Sequence, residues 1–180
     1  MAKVREVLSN DAKGVDTIIS GIGGIPMPQL SLFRPLTLSE PICSHATSSL
    51  LEAVGPDTSK ETPLIVVISA NGVSHTGPRD YPIALTPLYR WLLTGVYDDK
   101  REMEALLGKH LPSEAYVVVR PSALTDGAAK GVSSIRQGDS QRPVQGYSIS
   151  RDDVGLWLYT HVVAAEDRTG LQGQQMCITY

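Results

Sequence analysis

Two stretches of this 180-residue chain carry side chains that can move a proton or polarise a carbonyl near neutral pH. Ser69, Ser74 and His75 lie in and just beyond the apolar run LIVVIS at 64–69, and Tyr97, Lys100 and Glu104 fall within one helix-like stretch. A histidine titrates near pH 7 and can serve as general acid or base. Hydroxyl and ammonium groups donate hydrogen bonds to an oxygen on which charge develops. Lys100 and Glu104, four residues apart, share one helix face. Ser69, Ser74, His75, Tyr97 and Lys100 are therefore the catalytic candidates. Plainer readings stand beside them: a loop histidine is commonly just exposed, and Ser69 can bond to a neighbouring backbone group. His161 falls on an apolar helix stripe and reads as a core histidine.

These residues need elements to place them. VDTIISGIG at 15–23, LIVVIS at 64–69 and YVVV at 116–119 are apolar, β-branched runs of the kind buried on both faces of a parallel sheet. Helical stripes alternate with them: Ile42, Cys43, Ala46, Leu50, Ala53 and Val54 form one, and Leu88 to Leu107 form a longer one, broken near Gly95. A polar, glycine-bearing excursion occupies 122–149. Ser150, with Asp153 three residues on, then opens a helix whose apolar face is Val154, Trp157, Leu158, His161, Val162 and Ala165. GQQMCITY closes the chain as a short strand. The rhythm predicts an α/β fold, a parallel sheet with flanking helices, in a single domain over 1–180. Such sheets carry chemistry in the loops at the carboxyl ends of their strands, here 21–24, 70–75 and 120–122. Gly23, Asn71, Arg120 and Ser122 are substrate-binding candidates on that ground. Tyr81 and Tyr89 join them as residues that either line a cavity or pack as amphipathic core.

Composition sets outer bounds. At 42% hydrophobic and a net charge of −3 the chain can bury one substantial core. It has no basic run with interleaved aromatics, so a nucleic-acid partner is not expected. No window reaches the roughly 18 consecutive apolar residues of a membrane span, and the first residues lack the apolar stretch of a secretory signal, which predicts a cytoplasmic protein. Cys43 and Cys177 stand far apart without metal-ligand spacing, so neither a disulfide nor a metal is expected.

The segments GVDTIISGIGG, VVISANGVS, DKREMEALL, VVVRPSALTDG and YSISRDDVGLWL occur in this order over nearly the whole chain. In this they resemble the atypical short-chain dehydrogenases, the NmrA-like and flavin-reductase-like branch. The resemblance implies a truncated Rossmann-like sheet, because the family's glycine-rich phosphate turn has no counterpart here. It further implies that Ser69 stands where the family binds a substrate oxygen and that Arg120 borders the active-site pocket. The extended branch sets a tyrosine four residues before the lysine. Val96 holds that place, and Tyr97 is turned about 100° from it by the 3.6-residue period.

From this follows the expectation of an enzyme without a redox cofactor, isomerising or cyclising a small organic, secondary-metabolite-like substrate in an apolar pocket. The alternatives are an NAD(P)-dependent oxidoreductase and a catalytically silent NmrA-like binding module. Without the cofactor half, the strand at 15–23 becomes a sheet edge free of charge from Thr17 to Pro26, which invites pairing. A homodimer through residues 15–36 and the N-terminal helix is expected.

Overall fold

β-Branched residues crowd a helical turn and pack well on a pleated surface, and the runs richest in them form the sheet. In the computed structural model, which describes Glu6 and residues 14–33, 35–55, 62–74 and 76–180, β1 (Thr17–Ser20), β4 (Leu64–Ile68) and β5 (Tyr116–Pro121) lie side by side and parallel. The sheet runs β1-β4-β5-β9-β7, with β9 (Gln175–Thr179) parallel to β5 and β7 (Arg136–Gly138) antiparallel to β9. β1 is thus an edge among the described residues. Two small ribbons stand apart: β2 (Met27–Pro28) with β3 (Leu36–Thr37), and β6 (Ala123–Thr125) with β8 (Ser148–Ser150). Strands β6 and β7 and the start of β8 lie in the stretch 122–149 that reads from sequence as an excursion. They are too short and too polar to show a period.

The helices cover both faces. α1 (Ile42–Val54) and α2 (Thr94–His110) bury Cys43, Met103 and Leu107 against Ile65, Val67 and Val118. On the opposite face, α3 (Arg151–Leu158), prolonged by a wider turn to Val163, buries Val154, Trp157 and Val162 against Leu64, Val66, Val117, Val119 and Ile178. Side chains alternate along a strand, so Val118 and Arg120 face α2 while Val117 and Val119 face α3. His161 stacks on Trp157 at 4.8 Å as a half-buried member of that second face.

The break expected near Gly95 falls at Leu93, between a wide turn over Leu88–Leu92 and α2. The segment after β1 divides its apolar side chains between interior and surface. Leu36 and Leu38 pack against the aromatic cluster, and the carbonyl of Leu36 comes so near Gly95 that a Cβ there would sit 2.5 Å from it. Leu30, Leu32 and Phe33 remain exposed. His75 and the N-terminal helix expected at a contact lie outside the described residues.

Candidate functional site

The carboxyl ends of β4 and β5 converge on one buried carboxylate. Glu104, on α2, accepts a hydrogen bond from Ser69 Oγ at 2.5 Å. It also accepts two from the guanidinium of Arg120, at 3.1 and 2.5 Å. Period two on each strand explains the meeting: Ser69 follows Val67, and Arg120 follows Val118, on the α2 face. One turn earlier on α2, Lys100 donates from Nζ to the carbonyls of Ile68 at 3.2 Å and Ser69 at 3.5 Å. Ser69, Lys100 and Arg120 are therefore brought together. Burial works against the charge of Arg120, and the carboxylate of Glu104 more than offsets it, raising the guanidinium's affinity for its proton.

Beside this cluster lies a cavity of about 170 Å³, lined by Ser74, Thr76, Asp80, Arg120, Gln141 and Cys177 among others. An apolar pocket is expected from the sequence, but this lining is mostly polar, because the loop after β4 and the stretch after β7 supply it. Asp80 is 4% exposed. Its Oδ1 accepts from the amide of Gly72 at 2.9 Å, and its backbone carbonyl accepts from Asn71 Nδ2 at 2.7 Å. Burial raises its carboxyl above the usual range, with the Gly72 amide and the charge of Arg120 pulling the other way. Cys177 Sγ is 3.9 Å from Asp80 Oδ2, and burial pushes that thiol up to about 12.

The remaining candidates divide. Ser74 lines the cavity while its hydroxyl closes a local turn on the carbonyl of Thr76 at 2.8 Å. Tyr81 and Tyr89 stack at 4.5 Å, Tyr97 lies 5.9 Å from Tyr89, and all three are buried in one cluster with Val73 and Val96. Burial carries the Tyr97 phenol well above its ordinary range. Gly72, with φ of +79°, makes room for this stack, since a Cβ there would lie 2.1 Å from the Tyr89 ring. Asn71 is fully buried and its Oδ1 has no hydrogen-bond partner. Ser122 shares a 2.8 Å hydrogen bond with Thr179 between β5 and β9, away from the cavity lining. Gly23 is exposed at the β1 edge, and a Cβ there would meet nothing within 4 Å. Sequence reasoning misses Asp80 and Cys177. Asp80 sits in the polar string GPRDYP, where nothing local separates a buried aspartate from a solvated one.

A family model described as NAD(P)H-binding matches residues 3–163. The reductase pytE of Aspergillus terreus is 38% identical over 181 residues, which cover 92% of this chain and 67% of the reductase. The oxidase pynE of Aspergillus niger is 32% identical over 171 residues, 83% of this chain and 60% of that protein. Among solved structures, two of a short-chain dehydrogenase/reductase from Veillonella parvula share the fold. The ethylated form has a TM-score of 0.67 at 13% identity, over 98% of this chain and 66% of its own. The other, in complex with NADP, has 0.62 at 14%, over 99% and 67%.

The fold is the one seen in these short-chain dehydrogenase/reductase structures. The chain belongs to the NAD(P)H-binding family, in line with the resemblance read from its motifs. The expectation of a cofactor-free protein is corrected by the same finding, because the family is one that binds a nicotinamide dinucleotide. The sequence suggests otherwise because the glycine-rich turn is the legible part of such a site, and this chain has no G-x-G-x-x-G string. No helix among the described residues is long and apolar enough to cross a membrane.

The residues present suit one end of that ligand. Exposed Gly21 and Gly23 leave the main chain after β1 bare, and Lys100 brings a donor to the carboxyl end of β4, where dinucleotides lie in open parallel sheets. These residues fit the nicotinamide and its ribose. They do not form a pyrophosphate cradle: the first amides of α1, those of Cys43 and Ser44, are taken by the carboxylate of Asp99, each at 2.8 Å.

Proposed function

We propose that the chain carries the substrate-side half of an NAD(P)H-dependent oxidoreductase acting on a small oxygenated organic molecule. The observation that carries this reading is the polar cavity between the loop after β4, Arg120 of β5 and Cys177 of β9 in a chain of the NAD(P)H-binding family. Relatives named reductase and oxidase support it over the isomerase or cyclase reading. The chain spans about two thirds of the length of these relatives.

Bound NAD(P)H supplies a hydride. The chain's own part is to place the substrate. Arg120, with two of its five N–H groups spent on Glu104, offers donors to a substrate oxygen. Ser69 and Lys100 hold the end of β4 in register with α2, and Lys100 adds a donor for the cofactor's ribose. The buried tyrosines wall the far side of the Gly72 loop and shield it from water.

The test is equilibrium binding of NADPH and NADH to the purified chain, followed by fluorescence. Binding that weakens several-fold in Lys100→Ala, with the fold intact by circular dichroism, is the expected result. Failure of both nucleotides to bind at millimolar concentration overturns the reading.

A further inference from the structure

Asp80 is the acid of the cavity. Its carboxyl is nine-tenths buried, lines the cavity wall, and has only one oxygen engaged by a strong donor, the Gly72 amide on Oδ1. Oδ2 faces the thiol of Cys177 at a distance of weak contact. The groups around it come from every packed element: Arg120 of β5, Cys177 of β9, Glu104 of α2 through its effect on charge, and the phenols of Tyr89 and Tyr97. Arg120, the cation among the described residues that line the cavity, already has its counterion in Glu104 and so has no unmatched charge to select a carboxylate or phosphate. The cavity suits a neutral oxygen that becomes negative only during reaction.

We propose that Asp80 supplies the proton to the carbonyl oxygen of a small aldehyde or ketone seated in this cavity. This rests on the oxidoreductase reading and names its acid. A bound reduced nicotinamide would supply a hydride to the carbonyl carbon and be left oxidised, and the carbonyl oxygen, taking the C–O π pair, would accept the proton from Asp80 Oδ2 to give an alcohol. The aspartate is left as a carboxylate, held by the Gly72 amide and the nearby Arg120 charge. Its proton returns from water at the mouth, where Thr76, Gly77, Pro78 and Gln141 are exposed. Tyr97, buried in the aromatic cluster, is not needed for this step. The direction of the Asp80 shift agrees, since a carboxyl raised by burial keeps its proton to a higher pH.

The experiment uses dimethylaminocinnamaldehyde, a neutral, non-titrating aldehyde whose absorption moves to the red when its oxygen accepts a strong hydrogen bond. Bound to the wild-type chain without nucleotide, it is expected to show a red shift at acidic pH that is lost as pH rises through the Asp80 titration, with affinity falling about tenfold. In Asp80→Asn the shift is smaller and independent of pH. A wild-type pH profile retained in Asp80→Asn overturns the proposal. So does a wild-type red shift that ignores pH, or none at any pH, and this arm decides alone should the variant not fold. Because no nicotinamide is present, failure here is distinct from failure of NADPH to bind.

Discussion

Arg120 and Glu104 form a bidentate pair with both side chains buried, 5% and 9% exposed, which ties the end of β5 to the middle of α2. A buried pair contributes little relative to an apolar replacement, but removing one partner strands the other charge. Glu104→Ala is therefore expected to destabilise by about 3–5 kcal/mol in urea unfolding. Glu104→Gln, which keeps an acceptor for Ser69 but not the charge, should fall between it and wild type. Wild-type stability in Glu104→Ala would show that the pair is not formed.

Asp99 reaches from α2 to cap α1 through the amides of Cys43 and Ser44, a service usually done by a residue of the capped helix itself. Burial raises its carboxyl, but the two amides outweigh that and hold it below the ordinary range. A depressed folded-state value means that the stabilisation is present above the unfolded value and lost as pH falls through the folded one. Asp99→Asn should cost about 1 kcal/mol near neutral pH. The gap to wild type should close on acidification below the ordinary carboxylate range, as read by denaturant midpoints at a series of pH values.

Gly72 joins the aromatic stack to the acid of the cavity, since its amide serves Asp80 and its missing side chain admits Tyr89. Gly72→Ala meets both a left-handed backbone and the Tyr89 ring, and is expected to cost more than the roughly 1 kcal/mol of an ordinary glycine replacement. Near-ultraviolet circular dichroism should report loosening of the three tyrosines, while an unchanged spectrum and melting temperature would contradict this packing.

We propose that the edge of β1, unpaired among the described residues, is covered by a second copy of the chain. Ile19, Ile22, Ile25, Met27, Leu32 and Phe33 are all exposed on or after that edge, and unpaired strand edges seek partners. Sedimentation of the chain at micromolar concentration is expected to give a dimer, with Ile19→Lys or Phe33→Asp yielding monomer or aggregate. A wild-type monomer removes the proposal.

Much of the scaffold can be read directly from residue patterns. β-Branched runs mark β1, β4 and β5, the apolar stripe from Ile42 to Val54 marks α1, and Ser150 caps α3 with its Oγ accepting the amide of Asp153 at 3.1 Å. These features are legible because they depend on neighbours within four or five residues, the range over which periodicity and capping act. The family is legible too, since several such segments keep their order. The site is another matter. Lys100 and Glu104 share a helix face in the sequence, yet that Glu104 holds Arg120 and Ser69 follows from where α2 docks on the sheet. Asp80 lies in a turn-rich polar string and is buried only because β5 and β9 bring Arg120 and Cys177 to it from 40 and 97 residues away. Tyr97 stands three residues before Lys100, off the face that the family tyrosine would share with it, and the structure buries it with Tyr81 and Tyr89. Contacts so distant along the chain depend on strand order and helix docking, which no local period encodes.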